Sequence, residues 1–291
     1  GSISVLSFSF NLQAVIISTI GVSYSLAAFP TLSRYFRESN FKAFLEQTAT
    51  TARFILFWAL PLSALFIVLR AQIVRVVLGS GLFDWNDTRL TAAALALFVL
   101  SSAFQCLGML FIRAFYSAGF TKTPLVINLV STFIMLLGTW GLVQVFYASE
   151  GFRYFISSLL KVEDLPGTVV LMLPLGFSIA TIINTVFLWI MFEKRFKGFS
   201  GGVIRTMFES LSAAVFMGGT AYLGLNILAP MLNTDSLLGI FFQGFAAGLF
   251  AILFGIVVLI ILKNKELSSV WSVVKGKFWR AKIITTDSDI V

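Results

Sequence analysis

Long apolar runs, each near the length of a bilayer crossing, set the pattern of this chain. A helix needs about 20 apolar residues to span the hydrocarbon core. Seven stretches reach that length: 12–32, 54–69 with its flanks, 90–112, 125–146, 169–192, 203–228 and 237–262. The second is the shortest, although 52–78 is broken mainly at Arg53, Arg70, Gln72 and Arg75. Barrel strands alternate over roughly ten residues, and these runs are continuous and about twice as long. The pattern predicts an all-α integral membrane protein with about seven transmembrane helices.

The segments between the runs carry their own signals. Gly79-Ser80-Gly81 leads into the acidic turn Asp84-Trp85-Asn86-Asp87, with an N-cap expected at Asp87 and Trp85 at a membrane interface. Residues 118–124 form a tight turn that places Pro124 in the first turn of the next helix. Residues 150–161 read as a short amphipathic segment ended by Asp164-Leu165-Pro166-Gly167, and 198–202 as a flexible linker. After Lys263, the residues Leu267, Val270, Trp271, Val274 and Phe278 share one helical face, which predicts an interfacial helix on the inner leaflet. A docking site for a soluble partner is the alternative there. The tail 285–291 is expected to fray.

Composition agrees with the membrane reading. Hydrophobic residues make up 58% of the 291 and charged residues 12%, with 32 Phe among them; soluble domains carry about 25% charge. The net charge of +8 would suggest nucleic acid in a soluble protein. Here the positive-inside rule accounts for it, and no nucleic-acid partner is expected. With the first helix running outside to inside, 15 basic residues fall on cytoplasmic segments and five outside. The five are Arg70, Arg75, Arg89, Arg153 and Lys161; Arg113 stays within a span. The N-terminal end of this chain is therefore expected outside and the C-terminus in the cytoplasm. Such a start, at Gly1 and with no signal-peptide pattern over 2–10, predicts that the chain begins inside a longer protein with an odd number of helices upstream. A processed or tagged start is the alternative.

Chemistry is narrowed by what is missing. The chain has no His and a single Cys, Cys106, so His-based triads, His metal sites and internal disulfides are excluded. No phosphate-binding or dinucleotide motif occurs, and no cofactor is expected. Arg113 is the main candidate, because a charge within a span faces a polar cavity or snorkels to the headgroups. Gln105, Asn128, Gln144, Asn184, Asn226 and Gln243 are the other polar residues in spans, and such groups more often bond a neighbouring helix than a substrate. Cys106 and Gly108 beside Gln105 suggest a small-residue packing face. Pro30, Pro61 and Pro174 can bend helices. The Phe residues read as lipid-facing bulk.

Three blocks stand out together. They are Gly1-Ser2-Ile3-Ser4 with 21–33 (GVSYSLAAFPTLS); Ala59-Leu60-Pro61 with 77–84 (VLGSGLFD); and 113–124 (RAFYSAGFTKTP), which holds Arg113, Tyr116, Lys122 and Pro124. Their order and spacing resemble the MurJ/MviN family, the lipid II flippases of peptidoglycan synthesis. The motifs cover residues 1–125 and the topology covers the whole chain. The resemblance implies the exporter fold of the multidrug/oligosaccharidyl-lipid/polysaccharide superfamily, with fourteen helices. This chain would then correspond to helices eight to fourteen, most of the second lobe plus two extra C-terminal helices. Residues 1–195 would form the partial second lobe, 196–262 the two extra helices, and 263–291 a basic amphipathic cytoplasmic tail.

The resemblance also implies a mechanism. Two lobes rock about a cationic cavity that holds the diphosphate and sugar-peptide headgroup of lipid II, while the polyprenyl tail stays in lipid. Arg113, Asn11, Gln105 and Asn128 are the substrate-binding candidates; Pro30, Pro61, Tyr116, Lys122 and Pro124 are the structural motif residues. The last two helices would hold the tail, with Gly218, Gly219, Gly224, Gly239, Gly244, Gly248 and Gly255 leaving room for it. Two positions depart from the family: Asn11 stands where many members carry Arg, and Phe120 where Asp is common. The segment 148–168 is longer than typical. The expected activity is flipping of lipid II across the cytoplasmic membrane by a transporter, not an enzyme. Its partners would be lipid II or another polyprenyl-diphosphate substrate, membrane lipid and the missing first lobe. The rivals are a flippase for another polyprenyl-linked oligosaccharide, a multidrug exporter of the same fold, and a non-transporting membrane scaffold.

Overall fold

The computed structural model describes residues 2–79, 84–232 and 236–279, with the side chains of 2, 274 and 276–279 left aside. Residues 80–83 of the second block, the Val274 and Phe278 side chains of the amphipathic face, and the tail at 285–291 lie outside that description. Among the described residues the regular structure is entirely helical.

The first span is one 35-residue rod, Ile3–Arg37. It comprises α1 (Ser2–Ile16), a π-helical turn (Ile17–Val22) and α2 (Ser23–Arg37). The second is α3 (Phe41–Val68), which stops one residue before a short helix, α4 (Arg70–Leu78). The third is not the single helix expected over 90–112. It is α5 (Trp85–Val99) and α6 (Ser102–Ser117), bent by 40° at the join. Then follow α7 (Lys122–Ala148), the surface helix α8 (Glu150–Leu160), a 3-10 turn (Thr168–Leu171) running into α9 (Met172–Arg195), α10 (Ser200–Leu228), α11 (Leu237–Ile261) and α12 (Lys265–Trp279). Six helices are long and apolar enough to cross a membrane, and the bent pair makes a seventh span.

Among the described residues, side chains cap five of the helix N-termini. Asn40, Ser149, Ser236 and Asn264 each accept a bond from a backbone N–H in the first turn of the following helix. The cap of α5 is Asp84, which accepts from the Asp87 N–H at 2.7 Å. Asp87, the expected cap, lies inside the first turn, where its charge favours the helix N-terminus. Pro124 falls in the first turn of α7, as its missing N–H allows. Residues 198–202 are no flexible linker. The Glu193 carboxylate accepts from Gly198 N, Ser200 N and Ser200 Oγ, Gly198 takes φ +98°, and α10 starts at Ser200.

The bundle is built around α3, which packs on α2, α6 and α10. The other large contacts pair α1 with α5, α7 with α9, and α11 with α10 and α4. Many Phe residues are core and not lipid-facing bulk. Phe44, Phe111, Phe115, Phe192 and Phe199 are fully buried, and they mesh edge-on and tilted with Phe36, Phe120 and Phe196. Their rings sit where four helices converge at one end of the bundle and pack that space closely. Lipid-facing Phe residues do exist, concentrated on α11 at Phe241, Phe242, Phe245, Phe250 and Phe254.

Several of the glycines expected to leave room on α10 and α11 are met by neighbours, whereas Gly219 is open. A Cβ at Gly224 would meet Ala247 at 3.3 Å, one at Gly244 would meet Gln72 at 3.0 Å, and one at Gly255 would collide with Met217. These residues let helices approach closely, their commoner use in membranes.

Candidate functional site

The first rod has two unlike sides. One is packed: Ser9, Gln13, Ile16, Ile20, Gly21, Ser25, Ala28 and Leu32 are buried. The other carries exposed polar groups at Ser4, Ser7, Asn11, Ser18, Thr19 and Ser23. Steps of three, four and seven residues keep Ser4, Ser7, Asn11 and Ser18 on one helical face, with the exposed Val15 between the last two. The π turn then inserts one residue, so the next member is Ser23, whose Oγ donates to the Ser18 carbonyl five residues back at 3.2 Å. The packing behind this turn is close. A Cβ on Gly21 would lie 2.9 Å from Cys106 Sγ and 3.0 Å from its Cα.

Serine hydroxyls in a span can satisfy themselves on their own helix, as Ser18 does on the Val15 carbonyl at 3.2 Å. Asn11 does not: among the described residues its side chain makes no hydrogen bond. An exposed amide in hydrocarbon costs several kcal/mol, by the general rule of about 2–7 kcal/mol for an unpaired polar group. The stripe is therefore suited to water, to a substrate headgroup or to another protein surface, and not to lipid.

A second stripe lies on α6. Gln105, Met109, Arg113 and Tyr116 follow at intervals of four, four and three and are partly or fully exposed, whereas Cys106, Leu107, Leu110, Phe111 and Ala114 face inward. Arg113 is one turn from the end of α6 at Ser117. Among the described residues it has neither an ion pair nor a hydrogen bond, so its guanidinium is free for an external anion. Gln105 is partly committed, because its Nε2 donates to Ser101 Oγ at 3.0 Å.

That bond belongs to the repair of the α5–α6 bend. Ser101 N–H turns to the Phe98 carbonyl, leaving the Leu97 carbonyl without a helical donor. Ser178 of α9 supplies one at 2.6 Å and lies 3.0 Å from Ser101 Oγ. Thr185 of α9 similarly donates to the Phe104 carbonyl at 2.9 Å. Broken helices survive in membranes when neighbouring side chains satisfy the freed backbone in this way.

The remaining candidate, Asn128, accepts from Asn184 Nδ2 at 3.1 Å and ties α7 to α9. Of the other in-span amides, Gln243 bonds the Leu225 carbonyl across to α10, and Asn226 bonds Tyr222 within its own helix. Gln144 is exposed. The four predicted binding residues thus do not form one cluster. Asn11 belongs to the rod stripe, Gln105 and Arg113 share the open side of α6, and Asn128 is a clamp between helices. Of the motif residues, Pro61 and Pro124 are buried, while Pro30, Tyr116 and Lys122 are exposed. The serine stripe and the fully buried Gln13, whose two amide atoms find no partner, went unmarked in the sequence. The three-and-four spacing of Ser4, Ser7 and Asn11 was the available signal.

At the opposite end of the bundle from the Phe cluster, Arg89 grips both Asp164 carboxylate oxygens at 2.6 and 2.8 Å and the Lys161 carbonyl at 2.6 Å. Arg70 donates to the Leu160 carbonyl at 3.1 Å, and burial lowers its pKa. The hydrogen bond from Arg89 holds the Asp164 carboxyl below the usual carboxylate range. Among the described residues no group of three or more His, Cys, Asp or Glu could hold a metal ion.

Comparisons with known proteins bear on this arrangement. The family model described as lipid II flippase MurJ matches residues 1–243. A probable lipid II flippase MurJ of Rickettsia prowazekii is 30% identical over 134 residues, covering 46% of this chain and 26% of that protein. The corresponding protein of Bdellovibrio bacteriovorus is 30% identical over 148 residues, covering 49% and 28%. That of Thermotoga maritima is 26% identical over 227 residues, covering 68% and 46%. A solved structure described as lipid II flippase MurJ in an inward closed conformation superposes with a TM-score of 0.57 at 21% identity, covering 91% of this chain and 48% of that one. That likeness concerns the fold. The matches span less than half the length of each of these relatives.

Proposed function

This chain belongs to the MurJ family of lipid II flippases, and from that premise we propose that it forms the second wall of a transporter that flips lipid II across the cytoplasmic membrane by alternating access. Residues 1–195 are the partial second lobe, 196–262 the two added helices, and 263–291 the basic cytoplasmic tail. The N-terminal end lies outside and the C-terminus in the cytoplasm.

The observation that carries the proposal is the polar stripe Ser4, Ser7, Asn11, Ser18, Thr19 and Ser23 on an otherwise apolar rod. A first lobe facing that stripe would enclose a polar cavity, as transporters do at the interface of their two halves. Arg113 is the cation for the diphosphate, since charge-assisted bonds to phosphate are strong where water is scarce. The stripe itself is neutral, so most of the positive charge for the headgroup comes from the facing lobe. The polyprenyl tail remains in lipid beside the apolar outer surfaces of α10 and α11. The neutral Asn11 favours, as a second reading, a related lipid-linked sugar with a smaller charge demand.

Complementation tests this. Expressed with the first lobe of a relative joined upstream, the chain should restore peptidoglycan synthesis in cells depleted of their own flippase; alone it should not. A well-expressed fusion that inserts and fails to restore growth would move the assignment to the second reading.

A further inference from the structure

The last helix, α12, is held in a more specific way than a loose tail requires. The chain leaves α11 through Lys263 in the left-handed region at φ +53°, with Asn264 N–H reaching back to the Leu259 carbonyl at 3.1 Å. This turn swings α12 off the axis of α11. Asn264 is 2% exposed and acts twice: its Oδ1 caps α12 at Leu267 N, and its Nδ2 donates to Glu209 of α10 at 2.7 Å. Two residues on, Glu266 is buried and accepts from Arg53 of α3 at 2.9 Å. Leu267 and Val270 then pack on Phe57, Ala213 and Leu259. One side of α12 is thus locked to α3 and α10.

The free side has a different chemistry. Trp271, which borders the locked face one turn after Leu267, is 69% exposed. Trp271 and Lys275 lie four residues apart on one side of the helix, and Lys263, Lys265 and Lys275 are all exposed. Among the described residues none of the three lysines has an ion pair. Glu266, the one acidic residue of α12, is consumed by Arg53. An uncompensated basic surface with a tryptophan, emerging directly from a membrane span, matches the water–lipid boundary and its anionic headgroups.

We propose that α12 is a clamped binding site for anionic phospholipid headgroups. Lys263, Lys265 and Lys275 engage the phosphates, Trp271 anchors at the acyl boundary, and the Arg53–Glu266 and Glu209–Asn264 contacts fix the helix to the bundle. This rests on the membrane placement of the preceding span and not on transport. Nanodiscs expose both leaflets, so an error in the proposed orientation would leave the test unaffected.

The test is hydrogen exchange of residues 265–275 in the full chain, held in nanodiscs of phosphatidylcholine alone or mixed with phosphatidylglycerol. Anionic lipid should slow exchange on the order of a hundredfold, given roughly 1 kcal/mol for each of the three lysines at an anionic surface. Replacing Lys263, Lys265 and Lys275 together by Gln should abolish that difference, while replacement by Arg should keep it. The Gln variant changes exposed positions alone, so its melting temperature in pure phosphatidylcholine should match the parent chain. Equal exchange in the two lipids would overturn the proposal. So would protection that appears only on adding an acidic soluble protein, which would make α12 a protein-docking surface.

Discussion

Ser178 holds the carbonyl that the α5–α6 bend exposes, and it does so from another helix. Ser178→Ala leaves the Leu97 carbonyl short of a donor in a buried layer, while Ser101 Oγ keeps the Phe98 carbonyl and Gln105 Nε2. The expected cost is about 0.5–2 kcal/mol, bracketing the modest values measured for hydrogen bonds in membranes, and thermal unfolding in nanodiscs would show it. An unchanged melting temperature would mean that the bend repairs itself. Arg113 calls for the opposite kind of test, because nothing in the bundle depends on it. In the joined transporter Arg113→Ala should lower flipping about tenfold or more without changing the melting temperature, and Arg113→Lys should restore part of it, since a charged hydrogen bond is worth about 1.5–3 kcal/mol. Full activity of the alanine variant would mean that the guanidinium simply reaches the headgroups. Asp164 supplies a pH signature. Its carboxyl is depressed by the Arg89 hydrogen bond, so the clasp contributes above the unfolded carboxylate pKa of about 3.9 and is lost only as pH falls through the lower folded value. Carbon-13 NMR of Asp164 should show a midpoint below that of an ordinary aspartate, and Arg89→Gln should bring it back up.

Among the elements, the long runs were legible because length and hydropathy alone decide a span. The bend in the third run was not. Leu100 and Ser101 include neither Pro nor Gly, and the side chain that satisfies the opened backbone is Ser178, 77 residues further along the chain. The short α4 was hidden for a related reason, since its Ile73, Val74, Val76 and Val77 continue the apolar character of α3. At the candidate site, the spacing of Ser4, Ser7 and Asn11 could be read directly, but continuing the same period places the face at residue 22 and misses Ser23. The extra residue comes from the π turn, within which Gly21 closely approaches Cys106, a tertiary contact with no local trace. Gly21→Ala would force the two helices apart or shift the turn. The expected loss is about 1–3 kcal/mol, the usual cost of overpacking. Thermal unfolding would read it, and a Gly21→Ala chain as stable as the parent would show the contact to be loose.

On the scale of the whole molecule, exposed surface is of two kinds. Only one belongs against lipid. Phe245 and Leu253 on α11 are 60% and 54% exposed, and the face they occupy is apolar throughout. Asn11 and Ser18 are exposed on a face of hydroxyls and an amide that Val15, 51% exposed, interrupts. In a monomeric bundle both faces would meet acyl chains, and the second would do so at a cost. In a two-lobed carrier the second meets water. Single cysteines separate the cases, because Cys106 is buried and need not be removed. In the joined transporter, Asn11→Cys and Ser18→Cys should react with a membrane-impermeant thiol reagent, and added lipid II should slow that reaction. Phe245→Cys and Leu253→Cys should react only with a reagent that partitions into the bilayer. Reaction of all four positions only with the lipid-soluble reagent would place the stripe against acyl chains and remove the cavity. Protection of Asn11→Cys by lipid II, without protection of Phe245→Cys, would assign the headgroup to the polar face of the rod.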